Sequence, residues 1–118
     1  MNQIKTILVA FQGEPMCVVH VWLNALDMHK KGHDVKIVVE GSATKLIKIY
    51  HDNPAEPFAN LYRECKEKKL IDAVCKACST KMGSIEAVTA EKLPIEGEMS
   101  GHPSLGKYIE NGYSIITY

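Results

Sequence analysis

Apolar residues along this chain come in two spacings. Ile4 to Phe11 is almost continuously apolar through Ile7, Leu8, Val9 and Ala10. Runs of that kind mark strands covered on both faces, as in parallel sheets. Val35 to Glu40 repeats the pattern with Val35, Ile37, Val38 and Val39, and Ile71, Ala73 and Val74 form a shorter run closed by Cys75. Tyr113 to Tyr118 predicts a closing strand, and Leu93 to Ser100, the least patterned stretch, has room for a further short one.

The segments between these runs read as helices. Gln12-Gly13-Glu14 is a turn, Pro15 suits a first helical position, and the helix runs to about Lys31 before Gly32, a residue suited to a left-handed cap. Its apolar residues, Met16, Val18, Val19, Val21, Trp22, Leu23, Ala25, Leu26 and Met28, cover more than one face. A helix of this sort is buried on two sides; the sheet would take one and a neighbouring subunit the other, with Trp22 as an interface anchor. Gly41-Ser42 turns into a helix capped by Ser42 that carries Leu46, Ile47 and Ile49 and is broken at His51 to Pro54. A further helix spans about Pro57 to Lys69. There Phe58, Leu61, Tyr62 and Cys65 fall on one face, which makes Cys65 a core residue. Ser79 to Met82 predicts a short helix stopped by Gly83, and Ser84 caps another through Lys92. Gly101-His102-Pro103-Ser104 opens a last helix stopped at Asn111-Gly112. Strands alternating with helices give an α/β domain with a mostly parallel sheet, and 118 residues fit a single domain over positions 1–118.

Charge narrows the function classes. Lys and Arg number 14 against 14 Asp and Glu, so no basic nucleic-acid face or polybasic membrane patch is expected. No apolar run is long enough to cross a bilayer and no secretory signal is present, so a cytoplasmic protein is expected. The four cysteines are then reduced thiols, and clustered thiols in that compartment point to catalytic, redox or metal chemistry.

The chemistry concentrates at Ile71 to Gly83. Cys75 and Cys78 sit where a strand hands over to a helix. First-turn N–H groups of a helix are unpaired and partly positive, a field that favours the nucleophilic thiolate, and Lys76 and Lys81 add positive charge. Two cysteines filling an apolar gap is the plainer account, and it covers one thiol better than two at this spacing. Ligands of open α/β sheets bind beyond the carboxyl ends of the strands. That rule gathers Gln12, Gly13, Glu14 and Cys17, then Glu40, Gly41 and Ser42, around Cys75 to Cys78. No glycine-rich nucleotide fingerprint is present. Packing is the simpler account of Cys17, helix capping of Glu14, a core or interface position of His20, and a structural turn of His102.

Cys75, Ala77 and Gly83 match a short pattern, with Cys78 where alanine or a second cysteine is found, Lys81 in place of a frequent arginine, and Met82 departing from a basic position. In these residues, and in the order of elements from the opening strand to Gly112-Tyr113, the chain resembles the DsrE/DsrF/TusD sulfur-relay family, including its YchN-like branch. The resemblance implies a three-layer α/β/α Rossmann-like subunit with four to five strands. It also implies homotrimers or homohexamers, and a persulfide carried on Cys75 between sulfur donor and acceptor proteins.

A sulfur carrier or sulfurtransferase is thus the leading expectation. Cys75 holds the sulfur, Cys78 resolves or shields it, and no organic cofactor is required. A dithiol redox protein using the C-x-x-C pair is the alternative, although thioredoxin-type Trp and Pro neighbours are absent. A passive oligomeric binding module is a third. A metal is not expected: a structural zinc wants four ligands, C-x-x-C supplies two, and Cys17, His20, His51 and His102 fall at no zinc-ligand spacing.

Overall fold

The computed structural model describes residues 3–118. Five parallel strands, β1 (Lys5–Ala10), β2 (Asp34–Val39), β3 (Ile71–Cys75), β4 (Ile95–Glu96) and β5 (Ser114–Thr117), form one sheet in the order β4-β3-β2-β1-β5. Helix α1 (Pro15–Lys30) joins β1 to β2. Helices α2 (Thr44–Asp52) and α3 (Ala59–Glu67) join β2 to β3, α4 (Lys76–Lys81) and α5 (Ile85–Ala90) join β3 to β4, and α6 (Leu105–Glu110) joins β4 to β5.

Handedness explains which helix goes where. From β1 to β4 the chain steps across the sheet in one direction, then returns past β1 to place β5. Parallel crossovers are right-handed, so reversing the direction moves the connecting helix to the other face. One face therefore carries α1 to α5 over Leu8, Ala10, Ile37, Val39 and Val74, and the other carries α6, whose Tyr108 packs on Ile7, Val9, Val38 and Ala73. The result is the three-layer α/β/α arrangement. The connections leaving β3 and β4 diverge to opposite faces, and crevices at such switch points are where these sheets bind ligands.

The larger core places Trp22 differently from the sequence expectation. Its indole is wholly inside the subunit, with Nε1 donating to the Tyr50 hydroxyl at 3.3 Å and the ring edge-on to Tyr62 at 5.7 Å. Trp22 is thus a core residue and no interface anchor. The second apolar side of α1 is covered by α3 of the same chain. What α1 leaves in the open is Met16 at 61% and Leu23 at 48% exposure, together with His20, which is on the surface and not in a core.

Two helix starts also differ. Gly41–Ala43 is a single 3-10 turn, and Ser42 caps no helix. Its hydroxyl instead accepts from the Gly13 N–H at 2.8 Å, stitching the loop after β1 to the loop after β2. Gly13 suits that contact because a Cβ there would lie 2.6 Å from the Ser42 carbonyl oxygen. Helix α4 begins at Lys76, not Ser79, which makes Cys75 its N-cap residue. Helix α2 runs through His51 to Asp52 before it breaks.

Candidate functional site

Strand β3 ends in Cys75, whose extended backbone (φ −63°, ψ 121°) turns directly into α4. In the usual cap a side-chain oxygen accepts a first-turn N–H. Here the Cys75 Sγ does so, taking the Cys78 N–H at 3.3 Å. The C-x-x-C spacing thus places the second cysteine's amide on the first cysteine's sulfur. Alternation along β3 puts Cys75 on the same face as Ala73, and the register Val39–Val74 sets Glu40 beside it at the end of β2.

The third member comes from after β4. Val74 N donates to the Pro94 carbonyl at 2.8 Å, which docks β4 against β3. A tight reversal follows, with Gly101 at φ +93° and its carbonyl accepting the Ala77 N–H at 2.8 Å. Glycine suits this position, since a Cβ would meet that of Ala77 at 3.0 Å in a backbone conformation L residues avoid. The reversal lays His102 over the thiols, its Nδ1 3.1 Å from Cys75 Sγ and 3.7 Å from Cys78 Sγ. All three ligand-type atoms lie within 4.8 Å of one another. The Glu98 carboxylate pins the segment from outside, accepting from Lys107 Nζ at 2.8 Å and from Ser104 N at 3.0 Å.

The electrostatics of Cys75 run opposite to the sequence expectation. Its side chain is 0% exposed, and burial pushes the thiol up to about 12, with the neighbouring Cys78 thiol and Glu40 adding to the rise and the Cys78 N–H opposing it. A single short helix does not overcome the loss of water around a sulfur anion. Lys76 and Lys81 are exposed on α4 and do not set the state of the thiol. At rest Cys75 is therefore a neutral thiol beside an imidazole. Its proton has one short path out, to His102 Nδ1. Glu40 is nearly buried as well, and burial raises its carboxyl while His102 opposes the rise. The Ser79 hydroxyl, one turn into α4, is buried and has no hydrogen-bond partner among the described residues.

The edge residues named from the sequence divide into two groups. Cys75 and Cys78 meet, as the spacing implied. Gly13, Gly41 and Ser42 form the stitched loops, which adjoin α4 through the 3-10 turn. Glu14 caps α1, its carboxylate accepting the Met16 N–H at 3.5 Å, and Cys17 is half-buried at the start of the same helix. Among the described residues neither these nor Gln12 shares a hydrogen bond with the thiols. His102 is the correction of most consequence, because it is a member of the thiol cluster and more than a turn residue. The signal for it was topological: a strand pairing with β3 must end at the same edge, so the residues just after it arrive beside Cys75.

The DsrE/DsrF-like family matches this chain over residues 9–118. An uncharacterized protein of Methanocaldococcus jannaschii, MJ0733, is 33% identical over 100 residues, covering 84% of this chain and 78% of its own. A conserved protein of unknown function from Bacteroides thetaiotaomicron, BT1422, superposes with a TM-score of 0.65 over 97% of this chain and 95% of its own, at 16% identity. That last likeness is one of fold.

Proposed function

The chain belongs to the DsrE/DsrF-like family, and from that premise we propose that it is a sulfur carrier, a sulfurtransferase-like protein that holds a persulfide on Cys75 and passes it to a partner thiol. The observation that carries the reading is the contact of Cys75 Sγ with His102 Nδ1 at 3.1 Å, beside a second thiol and at the switch point of the sheet.

The transfer is written from these atoms. The Cys75 thiol gives its proton to His102 Nδ1, and the resulting thiolate keeps the Cys78 N–H. The thiolate attacks the outer sulfur of a donor persulfide. A new S–S bond forms on Cys75, the donor's S–S bond breaks, and the imidazolium returns its proton to the departing thiolate. One sulfur atom moves and nothing is oxidised or reduced overall. Hand-off to an acceptor thiol is the same step reversed. Cys75 is fully covered, so the Gly101–His102 segment must lift for a donor to reach it.

A second reading has its own support, the closeness of the two thiols. Attack of Cys78 on the inner sulfur of a Cys75 persulfide would expel hydrosulfide and leave a Cys75–Cys78 disulfide, which a cellular dithiol would reduce. That outcome makes the protein a dithiol redox carrier. Family membership further supports a cytoplasmic homotrimer or homohexamer exchanging sulfur with donor and acceptor proteins, for which Met16 and Leu23 are the exposed apolar residues of α1. Among the described residues no helix is long and apolar enough to cross a membrane.

Intact-mass analysis after incubation with a persulfide donor tests the reading. The wild type is expected to gain one sulfur atom, Cys75→Ser to gain none, and Cys78→Ser to gain it more slowly or hold it for a different time. A sulfur found only on Cys78 reverses the assignment, and loading that survives in Cys75→Ser at the wild-type rate sinks it.

A further inference from the structure

We propose that Cys75, Cys78 and His102 form a binding site for one soft-to-borderline d10 cation, zinc foremost, with the fourth position left for water or a small exogenous thiol. The spacing along the chain argued against this, because 24 residues separate Cys78 from His102. The fold removes that separation by ending β3 and β4 at one edge.

Two observations carry the inference. The first is the donor set: two thiolates and an imidazole are what zinc prefers, and three protein ligands are the number found where a coordination position stays open. The second is distance. Zinc about 2.3 Å from each sulfur and about 2.0–2.1 Å from nitrogen sets tetrahedral donor atoms about 3.5–3.8 Å apart. Cys78 Sγ and His102 Nδ1 already stand at 3.7 Å. Cys75 Sγ and His102 Nδ1, at 3.1 Å, need to separate by less than about half an ångström by the same geometry.

The surroundings are consistent with ligation. The Cys78 N–H on Cys75 Sγ orients one sulfur, and outer-shell hydrogen bonds of this kind fix metal ligands. Cys78 and His102 are half-exposed and give a cation its way in. Occupancy and sulfur carriage exclude one another, since both use the Cys75 lone pair; the zinc form is a capped thiol.

The test uses the whole chain, stripped with a chelator and kept reduced. Titration with zinc against a chromophoric chelator should find one equivalent bound with release of protons. Cobalt in its place should give tetrahedral d–d bands and a thiolate-to-cobalt charge-transfer band. Cys75→Ser, Cys78→Ser and His102→Ala should each weaken zinc by more than about 100-fold, the upper end of what losing even an outer-shell partner costs. Cys17→Ser should leave it unchanged. Absence of stoichiometric zinc, a cobalt spectrum without thiolate charge transfer, or equal weakening by Cys17→Ser overturns the site. The cobalt spectrum is read on the wild type, so a variant that fails to fold does not leave the question open. Sulfur loading is measured on the same stripped protein, so failure of either property is seen independently of the other.

Discussion

Two clusters of titratable side chains sit at different places on this sheet, and they are built in opposite ways. At the end of α5, Glu91 accepts from the Tyr62 hydroxyl at 2.6 Å and from Lys66 Nζ at 3.0 Å, and its second oxygen meets His51 Nδ1 at 2.7 Å. Burial works against the charge, but the Tyr62, His51 and Lys66 bonds outweigh it and hold the carboxyl down at about 2. At the carboxyl edge, the Cys75 sulfur has contacts of 3.1 to 3.7 Å, yet burial pushes the thiol up to about 12. The Ser79 hydroxyl beside it lacks a partner among the described residues, and Glu40 is buried with its carboxyl raised. The first cluster favours its charged form in the folded state and so ties α2, α3 and α5 together. In the second, burial opposes the charged forms of Cys75 and Glu40. A fully partnered buried charge is a fastening; a poorly partnered one is poised for chemistry.

The contrast is broken most strongly at His102. If it takes the Cys75 proton, His102→Ala should slow persulfide loading by about 10²–10⁴-fold, the range of general acid–base catalysis, while the pH dependence of the remaining rate shifts to that of the bare thiol. Loading followed by mass against time and pH reads this, and an unchanged rate would remove His102 from the proposed step.

Glu91→Gln should act on stability alone. The carboxyl's folded pKa, about 2, lies below its unfolded value, so its contribution is present above the unfolded pKa and is lost as pH falls through about 2. At pH 7 the variant should be about 2 kcal/mol less stable in urea, the gap closing below about pH 4, with sulfur loading untouched. A gap that persists at pH 2 would show that packing, not the ion cluster, does the fastening.

The smallest effect belongs to Ser79→Ala. Removing an unpartnered hydroxyl should be neutral or stabilise by up to about 1 kcal/mol. A loss of more than that would mean that the hydroxyl has a partner in solution, most simply a water shared with the thiol site. Urea melts of the two proteins at one pH decide it.

Much of the fold was legible because strand and helix spacing differ. The apolar runs at Ile7–Ala10, Val35–Val39 and Ile71–Val74 need cover on both faces, and alternation with helices leaves a parallel sheet as the arrangement that provides it. The C-x-x-C pair was legible too, because its geometry is local: Cys75 and Cys78 are one helical turn apart. The partner of that pair was not. His102 reaches the thiols through a two-residue strand and a reversal at Gly101, neither of which leaves a periodic trace. Trp22 was misplaced for a related reason, since an apolar helix does not say whether α3 or another copy of the chain covers it.

The sequence by itself determined an alternating α/β chain with a C-x-x-C thiol pair where its third strand hands over to a helix, because those features depend on residues within a few positions of one another. Tertiary structure alone decided the burial that opposes ionisation of Cys75, and the third member of the cluster. Burial takes Cys75 out of water, and the pairing of β4 with β3 carries a histidine to within 3.1 Å of it. Desolvation and close approach are properties of what surrounds an atom in space, and spacing along the chain does not contain them.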